Sequence, residues 1–152
     1  FWTVHNRIDH QTANGDSNNR NNPIIYVPEG NANDGSSIAK HITRSVTLEN
    51  DAIGLKVILA ANRPSVSNFE LYYKALAEDK LFTDNPWIEI EPLTNLPTDE
   101  NPAVYRDYEY LIGGDDGLAE PFNKFQLKIV MKSSNNAYVP QFKDLRVIAL
   151  SV

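Results

Sequence analysis

Hydrophobic and polar residues alternate along most of the chain after residue 39, and this pattern predicts β-strands. In "NFELYYKAL", Phe69, Leu71 and Tyr73 share one parity, and mostly charged or hydrogen-bonding residues occupy the other. "WIEIEPL" repeats the pattern with Ile88 and Ile90. Successive side chains of a strand point to opposite faces, so each segment has one face for a core and one for water.

Other segments extend the β pattern. "KHITRSVTLEN" places Ile42, Val46 and Leu48 on one parity, which predicts a strand with one wet face. "GLKVILAAN" is apolar at both parities after Lys56, which predicts a strand buried on both faces. "VYRDYEYLI", "FQLKIVM" and "DLRVIAL" are also β-prone, whereas "AEDKL" after the strand of Phe69 predicts a helical turn.

Polar and turn-forming stretches separate these segments. "QTANGDSNNRNN" (11–22) and "GNANDGSS" (30–37) predict surface loops, and "GGDDG" (113–117) predicts a tight turn. A proline-punctuated loop covers 92–102. "PIIYVPE" (23–29) predicts a short edge strand, because prolines bound it on both sides.

The count of eight to nine short strands, without an amphipathic helix, predicts an all-β fold. Such spacing favours an antiparallel β-sandwich or jelly roll with long polar loops. We expect a single domain over 1–152, with a strand and Asn-rich loop in 1–22 and the main sandwich in 23–150. The chain opens on "FWTVHNRID", a strand pattern without an initiator Met, which predicts a fragment of a longer polypeptide.

Composition excludes several classes of function. The chain has 41% hydrophobic residues, enough for a core without covalent staples, and no cysteine for thiolate catalysis or thiolate-bound metals. A net charge of −6 argues against a nucleic-acid or anionic-membrane partner. The apolar run at Val57 to Ala61 is too short for membrane insertion.

Metal sites are not predicted. His5 and His10 lie five residues apart, which places them on opposite faces of a strand, and His41 is distant, so ordinary strand and loop roles are favoured. The loops 31–37 and 113–117 contain the Asn, Asp and Gly of calcium loops. However, the twelfth position counted from Asn31 is Ile and not Glu, so turn formation is the favoured interpretation.

Catalysis is not predicted either. A glycosidase needs two carboxylates at a set separation, and no spacing singles out a pair among the acidic candidates, which are Glu70, Glu89, Glu109, Asp115 and Asp116. The chain also lacks a nucleophile elbow and a phosphate-binding glycine loop. We therefore expect a non-enzymatic protein without cofactor or metal.

Three aromatic residues are the sharper binding candidates. Tyr72, Trp87 and Tyr108 would stack on sugars or anchor a protein interface if they were exposed on a β face. The competing interpretation is that they fill the core, as most sandwich aromatics do.

Several motifs together resemble a known family. They are "ITRSVTLENDAIGLKVILAANRPSVSNFELYYKAL", a following Trp87, "YEYLIGG" and "FQLKIVMKSSNNAYVPQFKDLRVIAL". They resemble a β-sandwich segment of large virion structural proteins of contractile-tailed bacteriophages. The nearest likeness is to baseplate-wedge and tail-fibre-connector proteins of myoviruses, including those that infect cyanobacteria. The resemblance covers residues 24–150, and the closing strand pair is also similar to the end of discoidin-like carbohydrate-binding jelly rolls.

The resemblance implies an architectural function. It implies a non-enzymatic domain of a phage tail or baseplate, assembled in the host cytoplasm into a virion and held by contacts with other virion subunits. Its contact residues would lie at Arg63, Pro64 and Asn68, with Tyr72 and Trp87 packed nearby, unless these five serve turn geometry and the core. The alternative is a carbohydrate-binding module that recognises a host surface glycan.

Overall fold

The computed structural model describes residues 26–33 and 35–151, and it is a β-sandwich of two antiparallel sheets. Eight strands are described: β1 (Lys40–Ile42), β2 (Val46–Ala52), β3 (Gly54–Asn62), β4 (Ser67–Leu76), β5 (Ile88–Ile90), β6 (Arg106–Ile112), β7 (Phe122–Ser133) and β8 (Gln141–Leu150). The all-β antiparallel sandwich predicted from the alternating pattern is confirmed. The finer jelly-roll connectivity stays a prediction.

The larger sheet is organised around β7. The strand order is β1-β7-β4-β5, and β2 also pairs with β7. Ten residue pairs join β4 to β7, from Ser67 opposite Ser133 to Leu76 opposite Lys124. Because β4 occupies one side of β7, β1 and β2 share the other side, one after the other. β5 contributes only three residues at the outer side of β4.

The smaller sheet has β3 at its centre, in the order β6-β3-β8. β3 pairs with β6 without interruption and with β8 through one irregularity between Ala60 and Ala61. The chain passes from one sheet to the other between β2 and β3, between β3 and β4, and at each connection after β5. Neighbouring strands in sequence therefore lie mostly in opposite layers.

The core lies between the two sheets. Leu55, Val57 and Leu59 of β3 point into it and are fully buried, as are Leu71 of β4 and Ile129 of β7. Burial of each such side chain stabilises the fold by about 1.5–3 kcal/mol relative to exposure. The predicted inward parity of Phe69, Leu71 and Tyr73 is confirmed by the same cluster.

Three local predictions differ from the structure. β3 is buried on both faces except at the outward residues Lys56 and Ile58, which are partly exposed. The predicted strand over 40–50 is broken between β1 and β2. There the backbone N–H of Thr43 donates to the carbonyl of Leu127, and the N–H of Leu127 donates to the Thr43 hydroxyl. Residues 26–29 of the predicted edge strand have no strand pairing.

The sequence also predicts a helical turn after β4. "AEDKL" forms a non-helical turn, and a single 3-10 turn follows at Phe82–Asp84. The expectations for residues 1–25, which include His5, His10 and the Asn-rich loop, lie outside the described residues. Among the described residues, no helix is long and apolar enough to cross a bilayer.

Candidate functional site

Of the six candidate residues from the sequence, Pro64 is buried after β3, and the other five lie in two separate places. Tyr72 and Trp87 belong to a group on the outer face of the larger sheet. We call this group the lysine cluster, and its members are Glu29, Tyr72, Lys74, Trp87 and Lys128. The other three candidates line a recess between β5 and β6, which we call the β5–β6 cleft; they are Arg63, Asn68 and Tyr108.

The lysine cluster is built on a buried ion pair. Lys128 lies on β7 opposite Tyr72 of β4, and its side chain is 0% exposed. Its ammonium donates to the carbonyl oxygen of Glu29 at 2.6 Å and to the Glu29 carboxylate at 3.2 Å. The same Nζ lies 5.0 Å from the ring centroids of Tyr72 and of Trp87. Buried charges require such partners, because desolvation of an isolated ammonium is costly.

A second buried ammonium lies beside the first. Lys74 is 3% exposed, and its Nζ lies 4.7 Å from the centroid of the Trp87 ring. It donates to the backbone carbonyls of Ala32 and Phe82. Burial, and next the charge of Lys128, lower the pKa of Lys74. The Lys74 side chain therefore joins two loops, the one that contains Ala32 and the one that contains Phe82.

Glu29 connects the lysine cluster to the loop that lies over the outer face of the larger sheet. Its carboxylate accepts a bond from the backbone N–H of Ser37 at 2.7 Å and pairs with Lys40 at 3.3 Å. The N–H of Trp87 donates to the carbonyl of Gly30 at 2.9 Å. A Cβ at Gly35 would collide with the Glu29 carboxylate, so a side chain there would displace that carboxylate from its partners. These contacts fasten residues 28–33 and 35–37 to the sheet.

The aromatic candidates do not form an open stacking surface. Tyr72, Trp87 and Tyr108 are all buried. The first two pack with Val130 beneath the fastened segment, and Tyr108 makes an edge-on contact with Phe69, with ring centroids 4.9 Å apart. The exposure on which the stacking hypothesis depended is absent, because the chain's own lysines and loops cover these rings.

The β5–β6 cleft lies at the edge of the sandwich and has a volume of about 210 Å³. β5 pairs with β4 only at residues 71–73 and ends at Ile90. Pro92 follows and has no N–H for continued pairing. The preceding part of β4, Asn68–Glu70, therefore borders the cleft.

One wall of the cleft is acidic. Glu70, Glu89 and Glu91 all line it. The Tyr72 hydroxyl donates to Glu70 at 3.2 Å, and Lys132 pairs with Glu70 at 3.0 Å. Burial, and next the charge and hydrogen bond of Glu70, raise the pKa of Glu89.

The other acidic candidates are dispersed. Glu109 lies on the outer face of the smaller sheet and pairs with Lys56 at 3.4 Å. Asp115 and Asp116 lie in the exposed turn after β6, between glycines that have positive φ. Within the described residues, no group of three or more His, Asp or Glu side chains could hold a metal ion.

Arg63 and Tyr108 form another part of the cleft lining. Its Nη2 donates to the carbonyl of Leu96 at 2.7 Å, its Nη1 contacts the Asn68 side chain at 3.4 Å, and its Cζ lies 5.9 Å from the Tyr108 ring centroid. Arg63 Nε and the Tyr108 hydroxyl are buried without hydrogen-bond partners. Orphaned atoms of this kind are rare in folded proteins.

The loop over this cleft is fixed by two residues that the sequence pattern did not indicate. Asn62 is buried at the end of β3 and donates to the carbonyls of Asn101 and Val104 at 2.9 and 2.7 Å. The buried Asp99 accepts two bonds from Arg106 at 2.7 and 2.9 Å. No spacing in the sequence marks these contacts, because they join residues about 40 positions apart or lie in a proline-rich loop.

Glu89 gives the cleft a measurable pH dependence. A carboxyl group whose pKa is raised in the folded state destabilises the protein once pH exceeds that pKa. We expect Glu89→Gln to be more stable than the parent at pH 7, with a difference that shrinks as pH falls through the raised pKa toward 4.5, the ordinary value. Urea unfolding at several pH values measures this, and a difference that grows on acidification contradicts it.

The chain matches no known family, and no curated protein or solved structure matches it. The likeness to phage structural proteins therefore depends on the sequence motifs alone.

Proposed function

We propose that this chain is a non-enzymatic structural module of a phage tail or baseplate protein, which acts through contacts with other virion subunits. The resemblance of the strand motifs over 24–150 supports the proposal. The observation that carries it in the structure is a broad, exposed face on the smaller sheet.

This face, which we call the outer β3 face, consists of the outward side chains of β6, β3 and β8. Ile148 is 50% exposed there, and the partly exposed Leu111 and Ile58 lie on the neighbouring strands, with Lys56 between Ile148 and Leu111. Exposed aliphatic side chains on a rigid sheet are suited to a protein contact.

Positively and negatively charged residues lie beside these aliphatic side chains. Arg146 contacts Asp144 at 3.1 Å and Asp107 at 3.8 Å, and all three are more than half exposed. Three strands of about nine residues cover roughly 400 Å², which is about half of one partner's share of a standard interface. A contact of this size is suited to a symmetric assembly, in which many copies act together.

The direct test is mass spectrometry of intact contractile-tailed particles from the source of the sequence. Peptides from residues 39–150 within a larger virion polypeptide are expected. Recovery of the chain only as a free, secreted protein of about this size contradicts the proposal.

A substitution on the outer β3 face tests the contact itself. We expect Ile148→Glu to change the free energy of unfolding by less than about 0.5 kcal/mol, because the side chain is at the surface. Incorporation into particles should fall at least tenfold, because a carboxylate would be buried in the contact. Tyr138→Glu, at another exposed position, is the matched control. Normal incorporation of Ile148→Glu would exclude this face.

Glycan recognition is the second candidate function. It is favoured by a wide, open groove next to the β5–β6 cleft, lined by Ser65, Ser67, Thr98 and Ser133 and sharing Arg63 and Asn68 with the cleft. Hydroxyl, amide and guanidinium groups in one concave surface match the hydrogen-bonding groups of sugars. A glycan array probed with the chain tests this candidate.

A further inference from the structure

We propose that the β5–β6 cleft binds one sugar ring, a neutral polyhydroxylated group held between the carboxylates of Glu89 and Glu91 and the orphaned polar atoms of Arg63 and Tyr108. The inference rests on the glycan-binding candidate. It places the ligand away from the covered rings of Tyr72 and Trp87.

The first support is the pair of orphaned atoms on one wall. Tyr108 is 3% exposed, and its hydroxyl has no partner; Arg63 Nε is also buried without one. Both residues line the cleft. An unsatisfied buried group costs free energy that a suitable ligand recovers. The wall therefore offers a hydroxyl and an N–H donor that requires an acceptor.

The second support is the acidic part of the cleft. Glu89 and Glu91 are exposed and have no ion-pair partner among the described residues, although Glu89 shares a hydrogen bond with Glu70. Ionised carboxylates only accept hydrogen bonds. This part of the cleft therefore offers acceptors to a ligand that donates.

The chemistry of the two walls selects the ligand class. An anion is repelled by the three carboxylates. A cation satisfies the carboxylates, but it leaves the Arg63 N–H without an acceptor and lies beside a guanidinium of the same charge. A hydroxyl group donates to a carboxylate and accepts from the N–H at the same time. Neighbouring hydroxyls on one ring therefore complement both walls.

The size of the cleft limits the ligand. At about 210 Å³ it is smaller than the 300–1,000 Å³ of typical pockets for drug-sized molecules. A single ring is therefore the expected occupant. The adjoining groove shares Arg63 and Asn68 and offers a path for the rest of a longer glycan. The bound ring is then a terminal unit.

Tyr108→Phe is the sharpest test, because it removes only the orphaned oxygen. The variant should unfold at the same urea concentration as the parent or a higher one, since no bond is lost in the free protein. Its affinity for the ring should fall about 3- to 10-fold. Saturation-transfer NMR with the methyl glycosides of glucose, galactose, mannose and N-acetylglucosamine measures binding to the whole chain. Tyr138→Phe, at an exposed position, is the matched control.

The possible outcomes distinguish an error in the proposed site from an error in the proposed glycan recognition. Glycoside binding that Tyr108→Phe and Glu91→Gln leave unchanged would overturn the site and preserve glycan recognition. Absence of binding on both the glycan array and NMR would overturn both. Binding of arginine amide without any glycoside would overturn the ligand class. Loss of stability in Tyr108→Phe would overturn the premise that the hydroxyl has no partner.

Discussion

Replacement of Glu29 by Gln is expected to lower the free energy of unfolding by about 3 kcal/mol. The substitution keeps the shape of the side chain but removes the negative charge beside Lys128, which is 0% exposed. Lys40 also contacts this carboxylate, and Lys74 lies close by, so positive charges would face one another in a poorly hydrated place. Breaking a buried pair from one side is costly for this reason.

Urea unfolding measures this effect, with the dependence of the unfolding free energy on urea concentration expected to keep its slope. A double-mutant cycle then shows how much of the loss comes from the Glu29–Lys128 pair. Lys128→Met fills similar space without charge, so the double variant Glu29→Gln, Lys128→Met should recover part of the loss, with a coupling of about 1–3 kcal/mol. Glu109→Gln breaks the exposed pair with Lys56 and serves as the control, with an expected loss below about 1 kcal/mol. Equal losses of unfolding free energy for Glu29→Gln and Glu109→Gln would show that the buried pair stabilises the fold no more than the exposed pair does.

Trp87→Ala is expected to cost about 3–5 kcal/mol, the usual range for a large buried aromatic residue. The Trp87 ring packs with Tyr72 and Val130, and it lies beside the ammonium groups of Lys74 and Lys128. Its removal leaves a cavity and weakens two cation–π contacts. Residues 28–33 and 35–37 should lose hydrogen-exchange protection first, because the Trp87 ring lies against Lys74 and Lys128, which bind Ala32 and Glu29.

Unfolding followed by far-UV circular dichroism measures the loss without relying on tryptophan fluorescence. Ile88→Ala is the matched control, because Ile88 is adjacent in sequence but about half exposed. If Trp87→Ala kept its stability and lost only a partner or glycan, Trp87 would be a contact residue rather than a packing residue. The experiment therefore decides between the two roles that the sequence left open.

The strands were predictable because their signal is local. A period of two is visible within seven to ten residues, and the sandwich follows from the number of such segments without helices. The registers and sheet order were not predictable, since β7 pairs with partners from three different parts of the chain. No local pattern contains that information.

The site was only partly predictable. Arg63 and Asn68, which the resemblance implies as contact residues, line a cleft with Tyr108. Their role in a contact stays a prediction. Lys74 and Lys128 have the parity of a solvent-facing row, so the pattern indicates exposed charges there. Their burial results from residues 28–33 and 35–37, which cover them and which the sequence predicts as the end of an edge strand followed by a polar loop. Parity specifies the face of a sheet, but it does not indicate whether another segment covers that face.

The central position of β7 has a consequence for the kinetics of folding. Ile42 pairs with Lys128 and Ser67 with Ser133, so the larger sheet closes loops of many tens of residues. Contacts of such long range place a domain among slow folders, in the range of milliseconds to seconds. During synthesis, β1, β2 and β4 emerge before the strand on which they pair. A nascent chain that stops before residue 122 cannot form the larger sheet.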